Sequence, residues 1–424
     1  MKESSINFEK MAAMAVVAKD YEIVFQSLDD VPTGGKNISM KGREMKFFGN
    51  CDYMGLQEDP RIKQAAIDAI DKYGIMINNS RAYSASSLYS ILEEKMTQIV
   101  GNPAYVARST TYASMTTIPM VVGAKDAIIL DHQVHNSVQM SAGLAAVQGT
   151  KITKVAHSNM EQLEGKIIEL SKMHEKIWYM FDGVYSMMGD KAPFEAIEAL
   201  TKKYEQFYCY CDDAWGMSWT GERGKGLALS KIKMNDKFVV VTSLVKGFGS
   251  GGGGLVVFGD ELRRNVIRDM GPMQIFSGPL TNSVLASAIV SADIHLSGEI
   301  HGMQDKFMAR VKTLHDTASS LNLTLSCDHH TPIGFVPIGN SEATMYVAHR
   351  LKKAGFYANI ALYPLVPNHL GGIRIVVNNY VSHEEIKQLM IVIAESLPIG
   401  MEKYKAREME QQLADLKLSV AQTA

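Results

Sequence analysis

Between about residues 60 and 260 the chain alternates short apolar runs with stretches of helical period, and that alternation leaves few folds open. The runs are Ala127–Asp131, Ile152–Ala156, Ile177–Phe181, Phe207–Cys211, Phe238–Ser243 and Leu255–Phe258. Helices fit between most of them, at 136–147, 160–172 and 193–204. Strands lacking a polar face must be covered on both sides, and intervening helices supply that cover. The expectation is an α/β domain with a mostly parallel sheet.

Upstream, residues 1–45 read as a helix and a turn around Pro32–Gly35, followed by a short strand ending near Phe48. From about 290 the pattern changes to a helix at 304–321, strands near 322–327 and 333–338, a helix at 341–354 and a strand at 373–377. That is the pattern of a smaller α+β domain. The division is an N-terminal arm and helix (1–60), a large domain (61–290), a small domain (291–400) and a helical or frayed tail (401–424). With 424 residues, 46% of them hydrophobic, the chain has enough apolar material for both cores.

A net charge of −2 gives no electrostatic case for nucleic acid or an anionic membrane. Cys51, Cys209, Cys211 and Cys327 form no Cys-x-x-Cys pair, so neither a metal site nor a disulfide framework is expected. Reduced core thiols in a cytoplasmic protein fit better. No apolar run reaches membrane-spanning length, and the N-terminus lacks a signal-peptide core. The 26 methionines read as core filler, some of them suited to lining an acyl-chain channel.

In open parallel sheets, ligands bind beyond the carboxyl ends of the strands. Asp182, Asp212 and Lys246 each fall at such an end. Lys246 follows the run Val239–Val245 and precedes a glycine tract, Gly247-Phe-Gly-Ser-Gly-Gly-Gly-Gly254. A desolvated lysine there can be neutral and nucleophilic, and glycines let the backbone approach a flat ligand. Pyridoxal 5′-phosphate (PLP) held as a Schiff base suits that pattern. A surface lysine at a turn is the plainer alternative. The glycines also match a dinucleotide fingerprint, but that fingerprint needs a helix next, and here another strand follows.

A PLP site needs more than its lysine. A carboxylate must keep the pyridine nitrogen protonated, and Asp212 suits that task, with Asp213 as capping or supporting partner. A turn or cap role is the alternative for Asp212. Helix-start amides and small hydroxyls must hold the phosphate; Ser109-Thr-Thr111-Tyr112 precedes a helix at about 113–122, and Ser243 lies three residues before Lys246. His135 is a candidate to lie over the ring, with His132 nearby. Arg374, flanked by apolar residues, needs an anion: either a substrate carboxylate or an internal salt-bridge partner.

In this order along the chain, these residues resemble the α-oxoamine synthases, PLP-dependent acyl-CoA:amino acid C-acyltransferases of fold type I. The likeness runs from about Phe47 to Leu397. Phe47–Leu56 is similar to the family's Asn-x-Tyr-Leu-Gly-Leu segment, and Ser80-Arg81 with Leu92-Glu93 to its Ser-Arg…Leu-Glu. His135-Asn-Ser137 resembles its His-Ala-Ser, Asp182–Asp190 its Asp-Gly-Val-Phe-Ser segment, and Asp212–Gly226 its Asp-Asp-Ala-His-Gly…Gly-Arg-Gly stretch. Ser243-Leu-Val-Lys246 aligns with the Schiff-base segment, and Tyr363–Pro367 through Arg374 with the carboxylate-binding arginine region.

The resemblance implies a large domain with a seven-stranded, mostly parallel sheet and a smaller C-terminal α+β domain. It implies a cofactor set of Thr111, Tyr112, His135, Ser186, Asp212, Trp215, Ser243, Lys246 and Ser277, with Lys246, Asp212 and His135 catalytic and Arg374 and Asn50 binding substrate. Ser277 would reach the phosphate of a neighbouring subunit, making the homodimer obligatory. The implied reaction is decarboxylative condensation of a small amino acid with an acyl thioester, acyl-CoA or acyl carrier protein, giving a 2-amino ketone for lipid or secondary-metabolite synthesis. An aminotransferase and a non-catalytic partner subunit are the alternatives.

Several positions depart from the family pattern. Trp215 stands where the family has histidine, and Thr111 and Met115 where it has glycine and asparagine. Ala85 replaces a glycine, Tyr89 lies near a usual histidine, and Cys51 takes an asparagine's place with Asn50 one position earlier.

Overall fold

The computed structural model describes residues 19, 26–32, 34–326, 329–362, 366 and 370–423, with side chains described as far as 403. In chain order the elements open with a hairpin, β1 (Asn37–Met40) and β2 (Arg43–Phe47), then α1 (Pro60–Tyr73), α2 (Ser87–Val100), β3 (Ala104–Ala107) and α3 (Thr110–Val121). There follow β4 (Ala127–Asp131), α4 (Asn136–Val147), β5 (Lys151–Val155), α5 (Met160–Leu170), β6 (Ile177–Asp182), α6 (Phe194–Lys203) and β7 (Phe207–Asp212). Next come α7 (Leu227–Lys231), β8 (Phe238–Ser243), β9 (Gly254–Phe258), α8 (Glu261–Met270), α9 (Pro272–Ile275), α10 (Asn282–Leu296) and α11 (Glu299–Ser320). The chain ends with β10 (Ile333–Pro337), α12 (Ser341–Lys353), β11 (Phe356–Tyr357), β12 (Asn359–Ala361), β13 (Gly372–Val376) and α13 (His383–Thr423).

The chain forms two compact units, one spanning Cys51–Ala309 and the other joining residues 1–50 to 310–424. The larger unit carries a seven-stranded sheet of order β3-β9-β8-β7-β6-β4-β5. Strands β8, β7, β6, β4 and β5 run parallel, while β9 is antiparallel to both neighbours. All residues of β4, β6, β8 and β9 are buried, as expected of strands with no polar face. Alternate residues divide between the faces: Ile128, Trp178, Tyr210, Val239 and Val256 join Ala113 and Ile118 of α3 and Val138 and Ala142 of α4 in one core. The chain leaves β4 to form β5 on one side and β6 on the other, so a topological switch point lies between β4 and β6.

The smaller unit holds two three-stranded sheets, β1-β2-β11 and β10-β13-β12. Lys41 and Gly42 take positive φ (53° and 73°) in the two-residue turn of the first hairpin. The N-terminal segment belongs here because β11 pairs with β2 and the Val376 N–H donates to the Phe48 carbonyl at 2.7 Å. The units thus divide at 50/51 and 309/310, where the sequence reading divided the chain at 60/61 and 290/291. The later boundary moves because α10, beyond residue 281, packs on α1 and α2.

One sequence expectation fails. Residues 322–326 form no strand: Asn322 turns with φ 54°, and the Leu323 N–H donates to the Ala318 carbonyl at the end of α11. Residues 401–423 are helical, continuing α13 from His383 past Pro398, which has no N–H to donate within the helix. The expected helix within residues 1–25, apart from Lys19, together with Cys327, Tyr363–Leu365 and Pro367, lies outside the described residues. Cys209 and Cys211 are buried free thiols, Cys51 a half-buried one. Among the described residues no helix is long and apolar enough to cross a membrane.

Candidate active site

Asp182 and Asp212 end adjacent parallel strands and are register partners, so both carboxylates lie side by side at the carboxyl edge of the sheet. They are 3% and 4% exposed. Asp182 Oδ1 accepts the His135 N–H at 3.0 Å, and Asp212 Oδ1 accepts the Ala214 N–H at 3.1 Å. Asp213 is buried beside them and accepts the Ala228 N–H at 2.8 Å, anchoring the start of α7. Gly183 and Gly216 make room for it: a Cβ on either would come within 2.2 Å of an Asp213 carboxylate oxygen.

Burial, then the neighbouring Asp212 charge, raises the Asp182 pKa well above the carboxylate range; the His135 N–H and Lys246 oppose that rise. Burial pushes Asp213 up to about 7, with Asp212 adding to the shift and the Ala228 N–H opposing it. Three buried carboxylates share one corner, and Lys246 is the cation that acts on both Asp182 and Asp213. Such a cluster favours a ligand that brings a positively charged N–H.

Lys246 sits on a tight loop between β8 and β9. The Leu244 N–H donates to the Gly253 carbonyl (3.1 Å), the Gly249 N–H to the Lys246 carbonyl (3.0 Å), and the single O–H of Ser250 is shared between the Leu244 and Gly252 carbonyls, each 2.6 Å from its oxygen. Gly247 is obligatory in this arrangement, since a Cβ there would lie 2.0 Å from the Tyr53 ring. That ring stacks on Trp215 (centroids 5.9 Å apart), and the Tyr53 hydroxyl donates to the Met217 carbonyl at 2.8 Å. Lys246 Nζ lies 4.6 Å from the Trp215 ring centroid, a cation–π contact on the opposite partner of the same stack. Trp215, where the family has histidine, therefore meets the lysine with its ring rather than with a titrating nitrogen.

Ser109 caps α3 by accepting the Tyr112 N–H at 3.2 Å, and the first intrahelical bond runs from the Ala113 N–H to the Ser109 carbonyl. The amides of Thr110 and Thr111 precede that bond, the ordinary geometry for anion binding at a helix start. This helix start adjoins the lysine loop: the Gly253 N–H donates to the Arg108 carbonyl (3.1 Å), and a Cβ on Gly254 would lie 2.6 Å from the Thr110 nitrogen. Ser243 ends β8 and accepts the Val245 N–H at 3.2 Å. His135 caps α4, its exposed ring held through Nδ1 to the Ser137 hydroxyl at 2.7 Å. Ser186 is half-buried in the loop after β6. A flat, anionic, nitrogen-bearing ligand fits this donor set: carboxylates for a pyridinium, helix amides for a phosphate, a lysine for a carbonyl and a histidine over the ring.

Apart from Ser277, the sequence-predicted residues of the larger unit therefore gather at the carboxyl edge of one sheet. Ser277 lies in the turn after α9, its hydroxyl donating to the Met273 carbonyl. Asn50 and Arg374 belong to the smaller unit. Asn50 Nδ2 donates to the Gly35 carbonyl at 2.8 Å, and Arg374 is buried in β13 between Phe335 of β10 and Asn359 of β12.

Sequence reasoning passed over a second cluster at the same edge. Buried Asp131, the last residue of β4, accepts from the Gln133 and Ser158 amides (both 2.8 Å), the Tyr179 hydroxyl (3.0 Å) and His157 Nδ1 (2.9 Å). His157 Nε2 lies 2.7 Å from Asp190 Oδ2. The one available signal was position: Asp131 ends one apolar run and His157 directly follows another.

No family model matches the chain. The 8-amino-7-oxononanoate synthase of Saccharophagus degradans is 27% identical over 368 residues, 86% of this chain and 90% of the relative. The serine palmitoyltransferase of Sphingobacterium spiritivorum is 29% identical over 342 residues, 80% and 82%. A solved serine palmitoyltransferase of S. paucimobilis, with bound PLP–myriocin aldimine, superposes with a TM-score of 0.83 at 22% identity, covering 93% of this chain and 98% of that one. The architecture is that of the fold type I enzymes, a mostly parallel seven-stranded sheet with a smaller α+β unit. Within that class the chain is similar over most of its length to enzymes named 8-amino-7-oxononanoate synthase and serine palmitoyltransferase.

Proposed function

We propose that this chain is a PLP-dependent acyltransferase that condenses a small amino acid with an acyl thioester. One observation carries the reading: three buried carboxylates and one lysine converge at the switch-point edge of the sheet, beside the start of α3. PLP, when bound, supplies an electron sink for negative charge at the amino acid Cα. Asp212 holds a proton at the pyridine nitrogen, with Asp182 beside it. The α3 amides and Ser243 hold the phosphate, and His135 covers the ring. Lys246 would hold the cofactor through its amine and would serve as general base for the α-proton.

Arg374 grips the amino-acid carboxylate through two parallel hydrogen bonds. A bond forms between Cα and the thioester carbonyl carbon, the thiol leaves, and loss of CO2 gives a 2-amino ketone. Serine, glycine, alanine or a sulfonated analogue such as cysteate fit as the amino acid, and acyl-CoA or acyl carrier protein as the donor. A homodimer in which Ser277 reaches the neighbouring phosphate completes the reading, with sphingoid- or sulfonolipid-type lipid synthesis as its setting.

The test is a panel of amino acids with acyl-CoA donors, following free thiol and CO2 together. Stoichiometric release of both supports condensation, and turnover of amino groups without thiol release contradicts it. Titrating the preferred amino acid and its decarboxylated amine probes the carboxylate site. Arg374→Lys, which keeps the charge but loses the fork, should weaken the acid roughly tenfold and leave the amine unchanged.

A further inference from the structure

We propose that His157 is a positioning residue: as a cation clamped between Asp131 and Asp190, it locks together the two loops that carry His135 and Ser186 at the cofactor. This rests on the PLP reading above. The geometry is specific. Asp131 and Asp190 lie on opposite ring nitrogens of His157, at 2.9 and 2.7 Å. A neutral imidazole has one N–H and could donate to only one of these carboxylates; a protonated ring donates to both.

Each carboxylate is tied to one of the two loops. Asp131 accepts the Gln133 N–H, and its own carbonyl accepts the Val134 N–H (3.2 Å), so it shapes the turn that ends at His135. Asp190 closes the loop after β6: its carbonyl accepts the Tyr185 N–H at 2.9 Å, and Gly189 and Ala192 return bonds to Tyr185 and Gly183. The His135 N–H bond to Asp182 adds a second tie at the end of β6. Ser158 adopts a left-handed φ of 51° that lets its N–H reach Asp131, a local cost borne in the same cluster.

Every element around the ring contributes. Asp131 comes from β4, and Ser158 from the turn after β5. From β6, Tyr179 bonds Asp131, and from the loop after β6 the Tyr185 ring stands edge-on to His157 with centroids 4.3 Å apart. Asp182 lies near enough to act on Asp131's side of the cluster. Burial pulls the His157 pKa down, yet the bonds to Asp131 and Asp190 carry it up to about 9. The sign follows: a histidine raised in the fold stabilises it fully below about pH 6.5, and that contribution is lost as pH rises towards 9.

The experiment compares wild type, His157→Gln and Asp190→Asn as full-length chains, measuring thermal stability without PLP and the PLP dissociation constant with it, from pH 6 to 10. His157→Gln should bind PLP roughly tenfold more weakly at pH 7, the scale of a charge-assisted hydrogen bond, and that gap should close towards pH 9–10. Its stability deficit in the PLP-free protein should narrow over the same window. Asp190→Asn, which leaves the Asp131 bond in place, should give a smaller effect of the same sign and covers the case in which His157→Gln does not fold. A pH-independent stability gap, or unchanged PLP binding in both variants, overturns the clamp. If wild type itself fails to bind PLP, the cofactor reading falls, and the PLP-free stability profile still decides whether the clamp exists.

Discussion

Two loops border the candidate site, and they are held by different physics. The lysine loop, 244–253, is fixed by close packing: Gly247 faces the Tyr53 ring at a distance no side chain tolerates, Gly249 turns with φ 77° against Leu56, and backbone bonds close the rest. The loop after β6, 183–190, has backbone bonds of its own and adds an ionic tie, because its last residue is bonded through His157 to Asp131 of another strand. Steric fixing tolerates any pH but no added atom. Ionic fixing tolerates small changes in volume but depends on protonation.

The comparison breaks most visibly at the residue both loops serve. Asp212→Asn should keep the fold and lose on the order of a hundredfold in turnover, since the pyridine nitrogen loses its anionic partner. Steady-state kinetics check this, and near-normal turnover would move the role to Asp182 or Asp213. Next in size is Gly247→Ala, which forces Tyr53 or the loop to shift and should cost about 1–3 kcal/mol in denaturation at every pH. A pH-dependent cost would mean that the lysine loop too is held by charge.

Asp213 sharpens the contrast with a smaller effect. Its folded pKa of about 7 exceeds the unfolded value, so the wild type should lose stability relative to Asp213→Asn as pH rises from about 4 to 7. Paired thermal melts read the difference. That window lies below the one expected for His157, between about 6.5 and 9, so the two groups are separable by pH alone. A difference that stays flat from pH 4 to 7 would mean that Asp213 is ionised without penalty.

The same contrast explains what was legible in the sequence. Glycines after a buried strand declare a steric requirement locally, so the lysine loop could be read from its own residues. The central strands β4, β6 and β8 were equally plain, because a strand buried on both faces has no polar position to hide it. β3 was not, since Ala104–Ala107 is too short to separate from the adjoining helices. The small unit was harder for a related reason: β11 and β12 have two and three residues, and their pairing is with partners distant in sequence. The His157 cluster was invisible because its members come from four separated segments, each ordinary alone. Asp131 reads as a strand end, Tyr179 as core, and Asp190 as a turn.

The account stands or falls on Lys246 as the residue that holds PLP. Purified full-length protein reconstituted with PLP, reduced with borohydride and digested, should carry phosphopyridoxyl on Lys246 by mass spectrometry, and Lys246→Ala should carry none. Modification of a different lysine, or of no lysine in protein that has bound PLP, would contradict the account.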